Sequence, residues 1–429
     1  MNEIGSVGAE AASASGLGTV TDTAGKDRPW LFAFLIGPSA VVANGVIQGG
    51  VLAYLLNQQG IGSGGQSRLI GLLALPTSIY FLWSPITDFF VRRRTWLLIG
   101  GPMAAILMAV AFHQKDLSSR GAMVLMLLSA CFSQLAVSSC GGMMGAIGRE
   151  RSRRVAGSFY QAGSMGFGAL AAWVLVWLSS RYGRDVLGVT AALMIGVPSL
   201  LALAAPRQDS VATGAFGTTM RRVWEEFKAT FFHWKAVPYT ACMVFPMASG
   251  SAIGLLSGSA KQWGVSGDGV AWMNGLLGGG LMAAGSAAAA TLPARMRAPV
   301  MYMVVALINC ATLCVLWLGP MRPSTYYLGV TLYLFTIGTC YAMFTAVVLE
   351  FLGDSGKSGS GRYSIINSLG NVPVLYMIVL DGWGGEKWGA RGLAGTEAVV
   401  GAIGATILLA YFLMNRPHGV ALERGSAEA

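Results

Sequence analysis

The chain is organised by long apolar runs separated by short polar stretches. Runs of roughly 20 mostly apolar residues, the length that crosses a hydrocarbon layer as a helix, recur throughout. They predict helices over residues 30–56, 68–86, 95–113, 122–148, 155–180 and 186–205, then over 237–260, 269–292, 300–319, 325–352, 363–381 and 396–415. The expected fold class is an all-α integral membrane protein of 12 transmembrane helices in two six-helix halves, 29–205 and 237–415. Residues 1–28 are rich in Ala, Gly, Ser and Thr without an apolar core, and read as a disordered cytoplasmic tail; 416–429 read as a second one. Between the halves, residues 206–236 form a linker in which Val223, Phe227 and Phe231 recur at helical spacing among Arg222, Glu225, Glu226 and Lys228. That pattern predicts an amphipathic helix along the inner membrane surface.

Composition supports the pattern. Of 429 residues, 54% are hydrophobic and 11% charged, and mean hydropathy is +0.59. A soluble domain carries about a quarter charged residues, so a single soluble domain is excluded. A net charge of +10 would point a soluble protein towards nucleic acid. Here the distribution matters instead. With both termini inside, the tails and the inner loops hold 20 of the 29 basic residues, including Arg92, Arg93, Arg94, Arg149, Arg151, Arg153 and Arg154. This bias places the N- and C-termini in the cytoplasm, and no nucleic-acid partner is expected.

Internal similarity fits a duplicated layout. Arg154-Val-Ala-Gly-Ser158-Phe-Tyr-Gln161 opens the fifth predicted helix, and Arg362-Tyr-Ser364-Ile-Ile-Asn367 opens the eleventh. Each sets a Ser and an amide three residues apart, just after a basic residue.

Charges within the apolar runs are few. Asp88 and Glu350 fall near predicted cytoplasmic ends, and Asp381 and Glu397 near predicted outer ends. No Lys or Arg falls near the middle of a run, which disfavours a solute with several fixed negative charges. The candidate substrate-binding side chains are neutral: Asn44, Gln48, Gln134, Tyr160, Gln161, Asn274, Tyr341, Asn367 and Asn371, with Ser138, Ser139 and Tyr333 nearby in kind. Amides and phenols supply hydrogen bonds and stacking area in a low-dielectric cavity; the same residue types also tie membrane helices together. Asp88 beside Arg92, Arg93 and Arg94 is a candidate gate, a carboxylate–guanidinium latch that holds one facing state.

No cofactor or metal is expected. The six cysteines lie inside apolar runs, and His113, His233 and His418 are too far apart for a zinc site or a catalytic triad. Gly353-Asp-Ser-Gly-Lys357-Ser358 lacks the first glycine and the strand of a phosphate loop. A membrane-embedded enzyme would need clustered catalytic groups, which the sequence pattern does not offer.

Pro76-x-x-x-x-Phe81-Leu-Trp-Ser-Pro85-x-x-Asp88 followed by Arg92-Arg-Arg-x-Trp-Leu97 resembles the AmpG-type muropeptide permeases, in the peptide–acetyl-coenzyme A transporter branch of the major facilitator superfamily. Leu52-Ala-Tyr-Leu-Leu-Asn-Gln-Gln-Gly60 resembles the family's segment before the second helix. The resemblance implies a proton-coupled symporter, a permease importing a medium-sized polar solute across the bacterial inner membrane by alternating access. A muropeptide-like solute is favoured, and the chain is expected to work as a monomer in the lipid bilayer. Two departures concern the solute: Tyr80 stands where the family usually has Lys, and Ser133-Gln134-Leu-Ala-Val-Ser138 replaces an acidic pattern. A siderophore or other metabolite permease on the same fold, and a non-transporting membrane sensor, are the alternatives.

Overall fold

The computed structural model describes residues 28–82, 86–87, 91–145, 147, 150–205, 217, 221, 224–225, 227–228, 231–292, 296–352 and 368–415. Regular structure among them is helical, without strands. The first half comprises α1 (Pro29–Ile47), α2 (Val51–Gln58), α3 (Ser63–Ser78), α4 (Arg93–His113), α5 (Arg120–Gly145), α6 (Glu150–Ser179) and α7 (Arg184–Leu200). The second comprises α8 (Val237–Val244), α9 (Ala252–Ser259), α10 (Leu277–Ala288), α11 (Ala298–Leu318), α12 (Pro323–Leu352) and α13 (Val372–Met414). Eight described helices are long and apolar enough to cross a membrane, and the remaining pieces are compatible with twelve crossings.

The surface explains the composition. On α7, Val189, Leu193, Val197 and Leu200 form one helical face that is at least 50% exposed, and Ile106, Ile308, Ile403 and Ile407 do the same elsewhere. A belt of this kind is tolerated where the solvent is hydrocarbon. Small residues face inward, and helices approach closely at glycines.

The first and seventh predicted helices are interrupted, and the eleventh runs past its expected end. The first breaks between α1 and α2 at Gln48–Gly50, where Gly50 takes φ +99°, a left-handed conformation that a side chain resists. The last turns of α1, Ala40–Ile47, are wound as a π-helix. The seventh unwinds from Phe245 to Ser251 between α8 and α9, with Gly250 at φ +74°. The eleventh does not stop at Asp381. α13 has 43 residues, about 65 Å of helix if straight, twice the hydrocarbon thickness. It turns back at Trp388 and Gly389 instead. A side chain at Gly385 would meet Leu393 and one at Gly384 would meet the Gly392 carbonyl, so the two arms run antiparallel. Asp381 and Glu397 lie about two turns inside the arms, not at their ends.

Within each half α4 packs on α5 and α7, and α11 on α12 and α13. The halves meet where α3 packs on α13, α2 on α9, and α6 on residues 271–276 and α10. Of the linker, Arg221, Trp224, Glu225, Phe227 and Lys228 are helical, and Phe231 reaches Phe351 at the end of α12, with ring centroids 6.2 Å apart.

Candidate solute cavity

A cavity of about 260 Å³ lies between the halves. Six of the sequence-predicted residues line it: Asn44, Gln48, Gln161, Asn274, Tyr341 and Asn371. The breaks in the first and seventh helices place several of them. Gln48 and Gly49 belong to the α1–α2 break, and Ser249, Gly250 and Ser251 to the α8–α9 break, so backbone freed from helical pairing faces the same space. Irregular backbone at membrane depth is stable where it borders such a cavity.

Asn44 donates through Nδ2 to Ser164 Oγ at 3.0 Å and to the Ser164 carbonyl at 3.3 Å, fixing α1 against α6. Asn274 donates through Nδ2 to Tyr326 OH at 3.1 Å and to Ser257 Oγ. Two buried polar atoms of the lining have no hydrogen-bond partner among the described residues: Gln48 Nε2, a donor, and Asn274 Oδ1, an acceptor. Tyr341 OH donates to the Ser249 carbonyl at 3.4 Å. Asn371 accepts at its carbonyl from Ser78 Oγ at 3.3 Å, across the halves. The described lining contains no Asp, Glu, Lys, Arg or His.

Two predicted residues stand elsewhere. Gln134 is buried and donates through Nε2 to Ser39 Oγ at 3.2 Å and Thr77 Oγ1 at 3.3 Å, tying α5 to α1 and α3. Tyr160 packs against the Leu31–Met143 cluster away from the cavity. Asn367 lies outside the described residues, as do Asp88 and the Gly353–Ser358 motif.

Of the expected gate, Arg94 is the best defined. Its guanidinium donates to the Leu203 carbonyl at 2.5 Å and the Ala205 carbonyl at 3.4 Å, satisfying the otherwise open end of the helix that follows α7. Arg93 lies over Gly142 of α5, where a side chain would strike its guanidinium. Arg92 sits at the N-terminus of α4. The second half has a counterpart that the sequence reading missed: Glu350 accepts from the Ala298 amide at 3.0 Å and from Tyr239 OH at 2.8 Å, with Arg297 at 3.6 Å.

At the opposite end of the bundle the halves are tightly joined. Arg181 pairs with both Asp268 oxygens, at 2.8 and 3.0 Å, and stacks over Trp177. Ser63 Oγ donates to the Gly382 carbonyl at 3.3 Å. Gly254 stands against the Gln48 carbonyl, Gly258 against the Ala53 carbonyl, and Gly275 against the Trp173 backbone, closely enough that a methyl group would collide.

Sequence reasoning put Asp381 and Glu397 near outer helix ends without pairing them. Both are buried, at 0% and 3% exposure, and both contact Ser251. A negative pair this deep leaves no trace in hydropathy, because residues 130 positions apart in the chain, Ser251 and Asp381, make the contact.

No protein-family model matches the chain, and no curated protein sequence matches it. Solved structures do. A nucleoside transporter, crystallised as a mutant, superposes with a TM-score of 0.68 at 11% identity, covering 90% of this chain and 99% of its own. A D-xylose-proton symporter gives 0.62 at 13%, covering 89% and 95%. The chain therefore has the major facilitator fold, two helical halves around a central cavity.

Proposed function

We propose that the protein is a secondary active transporter, a proton-coupled importer that moves a medium-sized polar solute by alternating access. The observation that carries this reading is the uncharged amide- and hydroxyl-lined cavity between the halves, with Gln48 Nε2 and Asn274 Oδ1 buried and unpartnered among the described residues. Buried polar groups are costly when unsatisfied, and a solute offering an acceptor to the first and a donor to the second removes that cost. Tight packing at the Arg181 end, where the halves meet through a salt bridge and glycine contacts, supports a state closed on that side. By the basic-residue distribution, that side is the outside.

A muropeptide-like solute is the favoured cargo, on the resemblance around Pro76–Leu97 and on a lining suited to sugar hydroxyls and amides. The cavity volume favours a second reading. About 260 Å³ lies just below the 300–1,000 Å³ of typical ligand sites, which suits a single sugar or nucleoside better than a whole glycopeptide. The solute names of the two structural neighbours point the same way.

Proteoliposomes test both. Labelled anhydro-muramyl peptide, xylose, uridine and a ferric siderophore are offered with and without an inward proton gradient. Accumulation of one of them, dependent on the gradient, supports the proposal and identifies the class. Binding without uptake of any solute would replace it with the sensor reading.

A further inference from the structure

The coupling reading leaves the ion's seat unnamed, and the α8–α9 break supplies one. Ser249 Oγ donates to Glu397 Oε1 at 2.8 Å, and Ser251 Oγ contacts Glu397 Oε2 at 2.6 Å and Asp381 Oδ2. Ser249 and Ser251 hydroxyls are 3.0 Å apart, and Tyr333 OH approaches Glu397 Oε1 at 3.4 Å. Counting hydrogens decides the state of this cluster. Each hydroxyl carries one hydrogen. Ser249 Oγ accepts from Ser251's amide at 3.1 Å, and its own single hydrogen serves Glu397 Oε1 or Ser251 Oγ, never both. Ser251 then has a single hydrogen for two carboxyl oxygens. Both contacts are hydrogen bonds when a carboxyl O–H donates to Ser251 Oγ. Asp381 and Glu397 also bond each other directly, which likewise needs a proton on one of them. Asp381 Oδ1, fully buried, finds no donor among the described residues, so the cluster holds an acceptor still open to a further hydrogen.

No described Lys, Arg or His is paired with either carboxyl. The titratable groups that surround it are neutral ones: Tyr333 and Tyr341 from α12, Cys310 from α11, where Gly401 of α13 packs on its sulfur, and Tyr376 from α13. Two negative charges without a counter-ion in this setting would be expensive. A proton is the cheapest remedy.

We infer that Asp381 and Glu397, bridged by Ser251, are the proton-binding site of the transport cycle, and that Ser249 and Ser251 couple it to the solute. This deepens the proposed transport function and rests on it for the cycle, though not for the proton. The coupling follows from position. Ser249 and Ser251 line the solute cavity and also bond the carboxyls. A solute hydroxyl or amide that takes a serine hydrogen removes it from a carboxyl, which changes how strongly the pair holds its proton. Proton and solute thereby share one set of hydrogen bonds.

Infrared spectroscopy of the purified full-length protein in lipid nanodiscs reads the proton without any solute, so its outcome is independent of the uptake assay. Spectra are taken from acid to alkaline pH, in H₂O and D₂O, with sodium chloride or choline chloride. The expected result, at neutral pH where exposed carboxyls are ionised, is a protonated-carboxyl band, shifted by D₂O, that corresponds to one proton per chain. It is reduced in Asp381→Asn and Glu397→Gln and lost in the double variant. Its disappearance at alkaline pH is unaffected by the choice of salt. Ser251→Ala keeps both carboxyls and serves if the neutralised variants fold poorly; its band moves to higher frequency as the bridge is lost. A band that none of these substitutions changes overturns the inference. So does discharge by sodium but not choline, which would make the pair a sodium site.

Discussion

Replacing Gly254 by Ala tests whether the halves separate at the Arg181 end. A Cβ at Gly254 would lie 2.7 Å from the Gln48 carbonyl oxygen, against a normal contact of about 3.4 Å or more, and the obstacle is backbone that cannot rotate aside. Forcing an extra methyl group into a packed contact costs about 1–3 kcal/mol. Alanine also favours the helix by up to about 1 kcal/mol over glycine. That gain is present in every state of α9 and cancels, whereas the collision exists only while α9 lies against the α1–α2 break. The closed state alone is penalised, so the open-to-closed ratio at this end rises by about 5- to 150-fold. Ser63, whose hydroxyl bonds the Gly382 carbonyl across the same seam, reports it. In a cysteine-depleted background carrying Ser63→Cys, the rate of reaction with a membrane-impermeant maleimide added outside rises by that factor. An unchanged rate in a variant that elutes as wild type refutes the argument.

The Arg181–Asp268 pair is bidentate but its side chains are 39% and 51% exposed, so a double-mutant cycle with Arg181→Ala and Asp268→Ala, read by the same labelling, returns a coupling below about 1 kcal/mol that shrinks in salt. Arg94→Lys gives up one of two carbonyls because an ammonium cannot span Leu203 and Ala205; thermal unfolding followed by tryptophan fluorescence shows a loss of about 1 kcal/mol. Glu350→Gln keeps one acceptor, for the Ala298 amide, but turns an NH2 towards Tyr239 OH and weakens the partly exposed Arg297 partner, so the same assay reads a loss of about 1 kcal/mol. Asp116, in the loop between α4 and α5, is held below the usual carboxylate range by the hydroxyl and then the amide of Ser118. A depressed carboxyl stabilises the fold above its ordinary value and loses that contribution as pH falls through the depressed one. Hydrogen-exchange protection of the Ser118 amide therefore declines on the acid side, and Asp116→Asn removes that decline.

Much of the fold was legible because hydropathy reports what lipid demands of each helix. The expected 95–113, 300–319 and 325–352 differ from α4, α11 and α12 by two residues or fewer at each end. The breaks were harder. Phe245-Pro-Met-Ala-Ser-Gly-Ser251 carries the signals of an unwound turn, Pro246 and Gly250 among small residues, yet its apolar average hid them within one run. Asp381 was read as a helix end because a charge in an apolar run usually marks one. The helix continues past it because Ser251, from another part of the chain, supplies the hydrogen bond that makes its burial tolerable. Polar residues within spans were easy to find and impossible to sort by sequence. Gln134 and Gln48 look alike there, but Gln134 meets Ser39 and Thr77, while Gln48 Nε2 has no hydrogen-bond partner among the described residues. That difference is one of three-dimensional neighbours.

Central to the account is one cavity exposed to one side of the membrane at a time. Gln161, an exposed residue of its lining, provides the probe. In proteoliposomes of known orientation, Gln161→Cys is expected to react with an impermeant maleimide from the cytoplasmic face. With Gly254→Ala added, labelling from the outer face should rise as labelling from the cytoplasmic face falls. Equal reaction from both faces in both proteins would describe an open pore and contradict alternating access.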